Sequence, residues 1–373
     1  MSANGGIAMK QNVESDKTIE QNSRVVSRST KKHEKKKKVK KAILLSITIF
    51  ISLVIILIIG FIWSVYKQID NSLPTISVAP QVTIDADTKQ EIPIVIPQEE
   101  SVKEKALTMA LIGIDSRSGG GGLNTDVIIL ATFNPDTKKG YVISMPRDTK
   151  ITYTYNGKEY TSKVNGVYAD GYEAARKSGE DKNGRIIGGM DRLKSALSQF
   201  YDVDVSYVTT VNFNGFKDVV DTLGGVVVYV DMDMRYTDSH DNTNINLKKG
   251  NQTLSGKEAL DFVRFRQSNT NPNASSDFER NARQTQVIKA MIKKMLSFNG
   301  ITKIENVISE VAEDVNTDMP VSEIKDSITT YMTINLDNIT FTSLAGNWKN
   351  PYVYPDEEAL KEAKDMIQAI ISE

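Results

Sequence analysis

The hydrophobic pattern near the N-terminus differs from that of the rest of the chain. Residues 42–66 form an uncharged run of 25 residues that is dominated by Ile and Leu and carries Trp63 and Tyr66 near its end. About 20 apolar residues suffice for a helix to cross a bilayer core, so the run predicts a transmembrane helix. A cleaved signal peptide is the alternative, but its apolar core is shorter and small residues at a cleavage site follow it.

From residue 105 onward, short apolar runs alternate with amphipathic stretches. The runs of buried-strand type are 107–114, 126–133, 205–213 and 226–234, and the helical stretches include 190–200, 215–223, 257–265 and 277–296. Strands that alternate with helices predict an α/β fold, here a layered α/β/α domain with a central mixed β-sheet and helices on both faces. Two or three further helices and a strand at 338–345 are expected in the C-terminal part, 300–373.

The region between the apolar run and the domain contains four prolines, Pro74, Pro80, Pro93 and Pro97, among short β-branched runs. Such a segment is typical of an extended stalk, with a strand or two that pack on the domain. The predicted plan is therefore a basic tail (1–41), a single transmembrane helix (42–66), a stalk (67–104) and a domain (105–373).

Charge is distributed unevenly along this plan. Residues 1–41 hold 12 basic and 4 acidic residues, a net charge of +8, whereas the remaining 332 residues carry 34 basic and 43 acidic residues, a net charge of −9. Basic segments beside a membrane span stay in the cytoplasm, so we expect the domain to lie outside the plasma membrane. An acidic domain argues against nucleic acid as a partner. The chain has no cysteine, which excludes disulfides and thiol chemistry.

The helical stretch 277–296 carries an unusual stripe. Val287, Ile288 and Met291 recur at the spacing of one buried helix face, and Arg280, Arg283 and Gln284 continue that face toward its N-terminal end. Guanidinium groups are rarely buried without a partner. Either carboxylates of the same chain or an anionic ligand must meet them.

Further polar residues follow predicted strands. Asp115 and Arg117 lead into a run of four glycines, Asp126 opens the next strand, and Arg147 and Asp148 follow the strand that ends in Ser144. Two carboxylates that flank one loop suit Mg²⁺ or Mn²⁺, although simple capping roles are equally compatible with the spacing. For Arg147 and Asp148 the alternative is a local surface ion pair.

Arg264 and Arg266 share one side if their segment is extended. The planar fork of arginine fits phosphate better than lysine does. The chain has two histidines, His33 and His240, far apart in sequence, so a histidine triad or metal cluster is excluded.

Taken in order, the motifs GIDSR, NTDVIILATFNPDTKKGYVISMPRDT, KVNGVYADG, VNFNGFKDVVDTLGGVVVYVD, LSGKEALDFVRFRQ and DFERNARQTQVIKA resemble the LytR-CpsA-Psr family over residues 107–291. The resemblance leaves 300–373 as a C-terminal helical extension. It implies a transferase that moves wall teichoic acid or capsular polysaccharide from a polyprenyl-pyrophosphate carrier to peptidoglycan and releases polyprenyl phosphate.

The resemblance also implies roles for individual residues. Asp115 and Asp126 would hold Mg²⁺ on the pyrophosphate, and Arg147, Asp148 and Arg280 would be catalytic. The expected pyrophosphate contacts are Arg117, Arg147, Lys163, Arg264, Arg266, Arg280, Gln284 and, from the same helix stripe, Arg283. The sequence departs from the family at Asn124, where members often carry arginine.

Two other function classes stay open at this point. A membrane-bound attenuator of transcription would need a DNA-binding segment, and the only basic cytoplasmic segment is short and next to the membrane. A non-catalytic protein that binds polyprenyl phosphate in the membrane would keep the arginines but would not need both aspartates.

Overall fold

A computed structural model of the chain describes residues 73–79, 103, 105–114, 123–239, 243–270, 272–297, 304–331 and 334–373. These ranges contain no helix that is both long enough and apolar enough to span a bilayer. The predicted span at 42–66, the tail before it, and Asp115 and Arg117 all lie outside the described residues.

A mixed sheet of six strands forms the centre of the domain. Its strand order is β11-β6-β1-β2-β3-β12, with β1 antiparallel to β2, β2 antiparallel to β3, and parallel pairs at β1–β6 and β3–β12. These strands are β1 (Leu107–Ile114), β2 (Thr125–Phe133), β3 (Gly140–Ser144), β6 (Tyr207–Asn212), β11 (Val315–Thr317) and β12 (Ile339–Ser343). The predicted central mixed sheet is confirmed.

The remaining strands pair in two-stranded ribbons. They are β4 (Lys150–Tyr155) with β5 (Lys158–Lys163), β7 (Val226–Val230) with β10 (Gly250–Leu254), β8 (Met234–Asp238) with β9 (Thr243–Leu247), and β13 (Gly346–Lys349) with β14 (Tyr352–Pro355). Asn156 and Gly157 join β4 to β5 with positive φ angles of 50° and 73°, as an Asn-Gly hairpin turn requires.

Helices cover both faces of the sheet. The described helices are α1 (Val164–Lys177), α2 (Lys182–Tyr201), α3 (Phe213–Thr222), α4 (Gly256–Arg264), α5 (Asp277–Met295), α6 (Ile304–Val311), α7 (Val321–Tyr331) and α8 (Glu357–Ser372). The helical predictions at 190–200, 215–223, 257–265 and 277–296 fall on α2, α3, α4 and α5.

Side chains of the central strands alternate between two cores. Ile128 and Leu130 pack with residues of α1, α2 and α8 on one face, whereas Ile129 packs with Ile288 and Ile292 of α5 on the other. Alternation of this kind follows from the two-residue period of a strand. The sheet therefore separates a purely structural core from the face that carries α5 and the site.

The C-terminal part is more than a helical extension. It supplies both edge strands of the sheet, β11 and β12, and α8 buries Ala363, Ile367 and Ile370 in the larger core. The described part of the predicted stalk, 73–79, also packs on the domain, since the backbone N–H of Val78 donates to the carbonyl of Thr317 at 2.8 Å.

One predicted strand lies elsewhere. The run at 226–234 forms β7, which pairs with β10 outside the central sheet and leaves Val227 and Tyr229 exposed. Continuous β-branched residues gave it the pattern of a fully buried strand, but only every second residue of β7 is buried.

Candidate functional site

The site lies at one edge of the central sheet. β1, β3 and β6 all end at this edge and β2 begins there, because β2 runs antiparallel to β1 and β3. The start of β2 and the end of β3 are therefore neighbours at the open end of the β2–β3 hairpin. This brings Asp126, near the start of β2, close to Arg147, which follows β3. Ligand sites of α/β proteins commonly lie outside the carboxyl ends of strands.

A β-bulge positions Asp126. Gly113 pairs with Val127 and Ile114 pairs with Thr125, so Asp126 is the extra residue that has no partner on β1. Bulges bend a strand locally and re-aim a side chain. Here the bulge turns the Asp126 side chain into the wall of a cavity that Gly113 and Val127 also line.

The cavity has a volume of about 750 Å³ and lies between the sheet and the helices α3, α4 and α5. One part of its wall is apolar and is lined by Leu111, Val211, Phe216, Leu260, Val263, Val287, Ile288 and Met291. The polar lining residues of the cavity are Asn124, Asp126, Arg147, Asn165, Asn212, Tyr236, Asp238, Thr243, Arg264, Arg266, Gln267, Arg280, Asn281 and Gln284. A cavity of this composition fits an amphiphile with an anionic head group and an apolar tail.

The N-terminal end of α5 brings two of the polar residues to the cavity. Ser276 caps the helix, with its hydroxyl accepting the Glu279 N–H at 3.2 Å and the Glu279 carboxylate accepting the Ser276 N–H at 2.7 Å. Arg280 and Gln284 lie one helical turn apart on the face that lines the cavity. The helix dipole at this end favours a bound anion.

Three guanidinium groups crowd this part of the wall. Burial, together with the charges of Arg266 and Arg147, lowers the pKa of Arg280 to about 10. Burial of its guanidinium group also lowers the pKa of Arg266, and the charge of Arg147 adds to this effect, although much of the side chain is exposed. The charges of Asp126 and Asp148 oppose both shifts without cancelling them. The site thus holds excess positive charge that an anionic ligand would relieve.

Arg147 connects the two carboxylates of the site. Its Nη1 donates to Oδ1 of Asp126 at 2.6 Å, and its Nε lies 3.8 Å from Oδ2 of Asp148. Asp148 is buried, and its Oδ1 lies 3.0 Å from Nζ of Lys163. Neither Asp148 nor Lys163 lines the cavity. In this structure Asp148 contacts Arg147 and Lys163 contacts Asp148, so both help to position Arg147, and their expected catalytic and pyrophosphate-contact roles stay predictions.

The structure does not place Arg283 where the sequence predicted. It is 3% exposed and does not line the cavity. Its Nε and Nη2 donate to the two carboxylate oxygens of Asp231 at 2.8 and 2.6 Å, and its Nη1 donates to the Ser275 hydroxyl at 2.7 Å. The expected pyrophosphate contact is wrong for this residue, because its donors hold α5 against the loop after β7.

Arg264 is placed differently from the extended segment considered above. It is the last residue of α4, its guanidinium lies 4.8 Å from the centre of the Phe213 ring, and it lines the cavity together with Arg266. Both arginines reach the site, but they do so from the end of a helix and from the loop that follows it.

Sequence reasoning missed Asn281. This residue lines the cavity next to Arg280, is 4% exposed, and its Nδ2 has no hydrogen-bond partner among the described residues. A buried amide without a partner destabilises a protein, and such groups concentrate where a ligand completes the hydrogen bonds. The sequence signal was its position inside RNARQ, directly after Arg280.

Comparison with known proteins now adds to this geometry. The family model described as the LytR_cpsA_psr family matches residues 72–369. This chain belongs to the LytR_cpsA_psr family. The match begins at the described segment 73–79 and includes β11, β12 and most of α8, in agreement with the structural role of the C-terminal part.

Curated relatives carry transferase names. The polyisoprenyl-teichoic acid–peptidoglycan teichoic acid transferase TagU of Bacillus cereus is 29% identical over 314 residues, which are 83% of this chain and 91% of the relative. The TagU of Oceanobacillus iheyensis is 28% identical over 305 residues, 80% of this chain and 85% of the relative.

Solved structures share the fold. The crystal structure of B. subtilis TagV aligns with a TM-score of 0.57 at 27% identity and covers 72% of this chain and 98% of TagV. TagT bound to LI-WTA aligns with a TM-score of 0.55 at 24% identity and covers 75% of this chain and 96% of TagT.

Proposed function

We propose that this protein is an enzyme of the cell envelope that transfers an anionic glycopolymer, wall teichoic acid or capsular polysaccharide, from a polyprenyl-pyrophosphate carrier to peptidoglycan. The observation that carries the proposal is the cavity itself, whose lining combines the guanidinium groups of Arg147, Arg266 and Arg280 and the carboxylate of Asp126 with many apolar side chains. A pyrophosphate joined to a prenyl chain has the same division into an anionic and an apolar part. The names of the TagU relatives support the same reaction.

In this reaction a peptidoglycan hydroxyl attacks the phosphorus atom that carries the polymer. A new P–O bond forms, the phosphoanhydride bond breaks, polyprenyl phosphate leaves, and the hydroxyl proton is released. Negative charge develops on the phosphoryl oxygens, and positioned guanidinium groups stabilise it. We assign this role to Arg280 and Arg266, both of which line the cavity, and to Arg147, whose guanidinium contacts Asp126 and the buried Asp148.

A divalent cation at the site is part of the proposal. Mg²⁺ is usually held by one or two carboxylates together with phosphate oxygens and waters, so a cluster of three acidic residues is not required. The described residues contain no such cluster, but Asp126 reaches the cavity and Asp115 follows β1 in the sequence. We propose that Asp115 and Asp126 hold Mg²⁺ or Mn²⁺, which would neutralise charge on the pyrophosphate.

A substitution at Asp126 separates catalysis from simple binding. The test uses purified full-length protein in detergent, polyprenyl-pyrophosphate glycopolymer and peptidoglycan, with release of polyprenyl phosphate as the readout. We expect Asp126→Asn to lose roughly a hundredfold or more of the transfer rate while it still binds the carrier, because the arginines remain.

Chelation should have the same effect on the wild type, and added Mg²⁺ should restore only the wild type. Full transfer by Asp126→Asn in the presence of a chelator would contradict the metal-assisted reaction. Carrier binding without any transfer by the wild type would favour the non-catalytic lipid-binding alternative.

A further inference from the structure

The hairpin β13–β14 presents aromatic rings to solvent close to the site. Trp348 is 51% exposed and Tyr354 is 37% exposed, and Tyr352 lies 6.3 Å from Tyr354, measured between ring centres. Lysines accompany these rings, with Nζ of Lys150 5.1 Å from the centre of the Tyr354 ring. Trp348 shares its face of the hairpin with Val353, and the two tyrosines lie on the other face. Single exposed apolar residues are common on protein surfaces, but an exposed indole beside a cation and next to a ligand cavity points to a binding surface.

Direct contacts join the hairpin to the residues that position Arg147. The backbone N–H of Val353 donates to the carbonyl of Asp148 at 2.8 Å, and Val353 lies opposite Trp348 in the hairpin. Nζ of Lys163 lies 3.0 Å from Asp148 and 5.4 Å from the centre of the Trp348 ring. Lys163 therefore contacts both Asp148 and Trp348. Through this lysine Trp348 is linked to the residues that position Arg147.

We propose that Trp348 and Lys163 form a subsite for the sugar–phosphate chain of the donor glycopolymer. The apolar face of a sugar ring packs on the flat indole, where it gains dispersion contacts over a large area. The ammonium group of Lys163 has three donors, of which Asp148 takes one, so it can also donate to a phosphodiester oxygen. This inference rests on the proposed function and names the part of the site that holds the polymer beyond the pyrophosphate.

Two observations favour the donor polymer over the peptidoglycan acceptor as the occupant. The first is charge, because Nζ of Lys163 lies 5.4 Å from the centre of the Trp348 ring and matches a polymer that carries phosphate groups. The second is connectivity. A bound carrier has its prenyl chain on one side of the pyrophosphate and its glycan on the other. We place the glycan on the Arg147 side, because Arg147 links the cavity to Asp148, and Asp148 is linked through Lys163 to Trp348.

Donors of two lengths test the subsite. One donor carries a single sugar on polyprenyl pyrophosphate, and the other carries the full polymer. We expect Trp348→Ala to lower kcat/KM roughly tenfold for the polymer donor, since an exposed aromatic anchor of this kind contributes on that order. The single-sugar donor should change less than about twofold, because it ends before Trp348. Trp348→Phe should keep most of the activity.

Tyr229→Ala is the matched control, because Tyr229 is similarly exposed, at 48%, on the separate ribbon β7–β10. It should leave both donors unaffected. Equal losses with both donors for Trp348→Ala, or no loss with either, would overturn the subsite.

Tryptophan fluorescence gives a readout that does not depend on transfer. The chain has two tryptophans, Trp63 and Trp348, so full-length protein with Trp63→Phe reports on Trp348 alone. Soluble glycopolymer without its lipid should protect this tryptophan from acrylamide quenching. Absence of protection in a protein that still transfers polymer would overturn the subsite. If the wild type transfers from neither donor, the proposed function fails, and the fluorescence result alone decides whether Trp348 binds the polymer.

Discussion

Two arginines three residues apart on α5 have opposite roles. Arg283 has its Nε, Nη1 and Nη2 occupied by Asp231, Ser275 and the Phe265 carbonyl, which fixes the helix. Arg280 faces the cavity among like charges, and its pKa is lowered to about 10 by burial and by those charges. Arg283 stabilises the fold, whereas the surroundings of Arg280 disfavour its charged form, which a bound anion would favour.

The Arg283–Asp231 pair predicts a pH dependence of stability. Burial alone would raise the pKa of Asp231, but the hydrogen bonds and charge of Arg283 outweigh it and hold the pKa below its usual value of 3.8. A lowered carboxylate pKa contributes stability that is complete above the unfolded pKa and is lost as the pH falls through the folded pKa. The free energy of unfolding of wild type and Arg283→Met, measured in urea, should therefore differ by a constant amount above about pH 5 and converge below about pH 4.

A difference between the two proteins that stays constant down to pH 2 would contradict this assignment of the pair. Arg280→Met is the control, since it leaves Asp231 paired and should follow the acid limb of the wild type.

At the scale of elements, the periodicity of apolar residues located most of the helices and strands. This works because burial of one face of a helix or strand dictates that periodicity. Periodicity identified α5 and the strands β1 and β2 closely. It failed for β7, whose run of valines looks fully buried although the strand pairs with β10 and exposes alternate side chains. Periodicity also could not show which residues the polar end of the buried α5 face contacts. The partner of Arg283 is 52 residues away in sequence, and the bulge that turns Asp126 depends on pairing with β1. Long-range pairing of this kind leaves no local pattern.

Close contact between α1 and α2 gives a prediction at this scale. A Cβ atom at Gly171 of α1 would lie 2.3 Å from the carbonyl oxygen of Gly188 on α2, which is a backbone atom that cannot move aside. Gly171→Ala should therefore separate the helices and lower the free energy of unfolding by about 2–4 kcal/mol.

Gly166 offers a control on the same helix, because a Cβ atom there would meet nothing within 4 Å. Gly166→Ala should be neutral or stabilising by roughly 0.5–1 kcal/mol, since alanine favours the helix. Thermal melting of both variants checks the pair, and similar losses at both positions would refute the close-contact explanation.

For the whole molecule, the sequence before residue 68 predicts where the domain works. The charge run at 31–41 and the uncharged run at 42–66 predict one membrane crossing with the domain outside. This location would give the cavity access both to a carrier lipid in the outer leaflet and to peptidoglycan.

Protease added to intact protoplasts should digest the domain and leave an N-terminal fragment that includes residues 1–41. A cytoplasmic protein from the same cells serves as the control for membrane integrity. Protection of the domain in intact protoplasts, with digestion only after lysis, would contradict this topology.

The most direct test of the account compares Arg280→Met with Arg283→Met in the full-length protein, with Tm and polymer transfer measured side by side. Methionine keeps much of the side-chain volume and removes the charge in both cases. We expect Arg280→Met to keep the wild-type Tm, or to exceed it, while the transfer rate falls roughly a hundredfold to a thousandfold. Arg283→Met should lower Tm by several °C, because it removes the bidentate partner of the partly exposed Asp231 and the donor to Ser275. A large fall in Tm for Arg280→Met with little effect on the rate would show that Arg280 serves the fold, and the anion-binding role of the cavity would be contradicted.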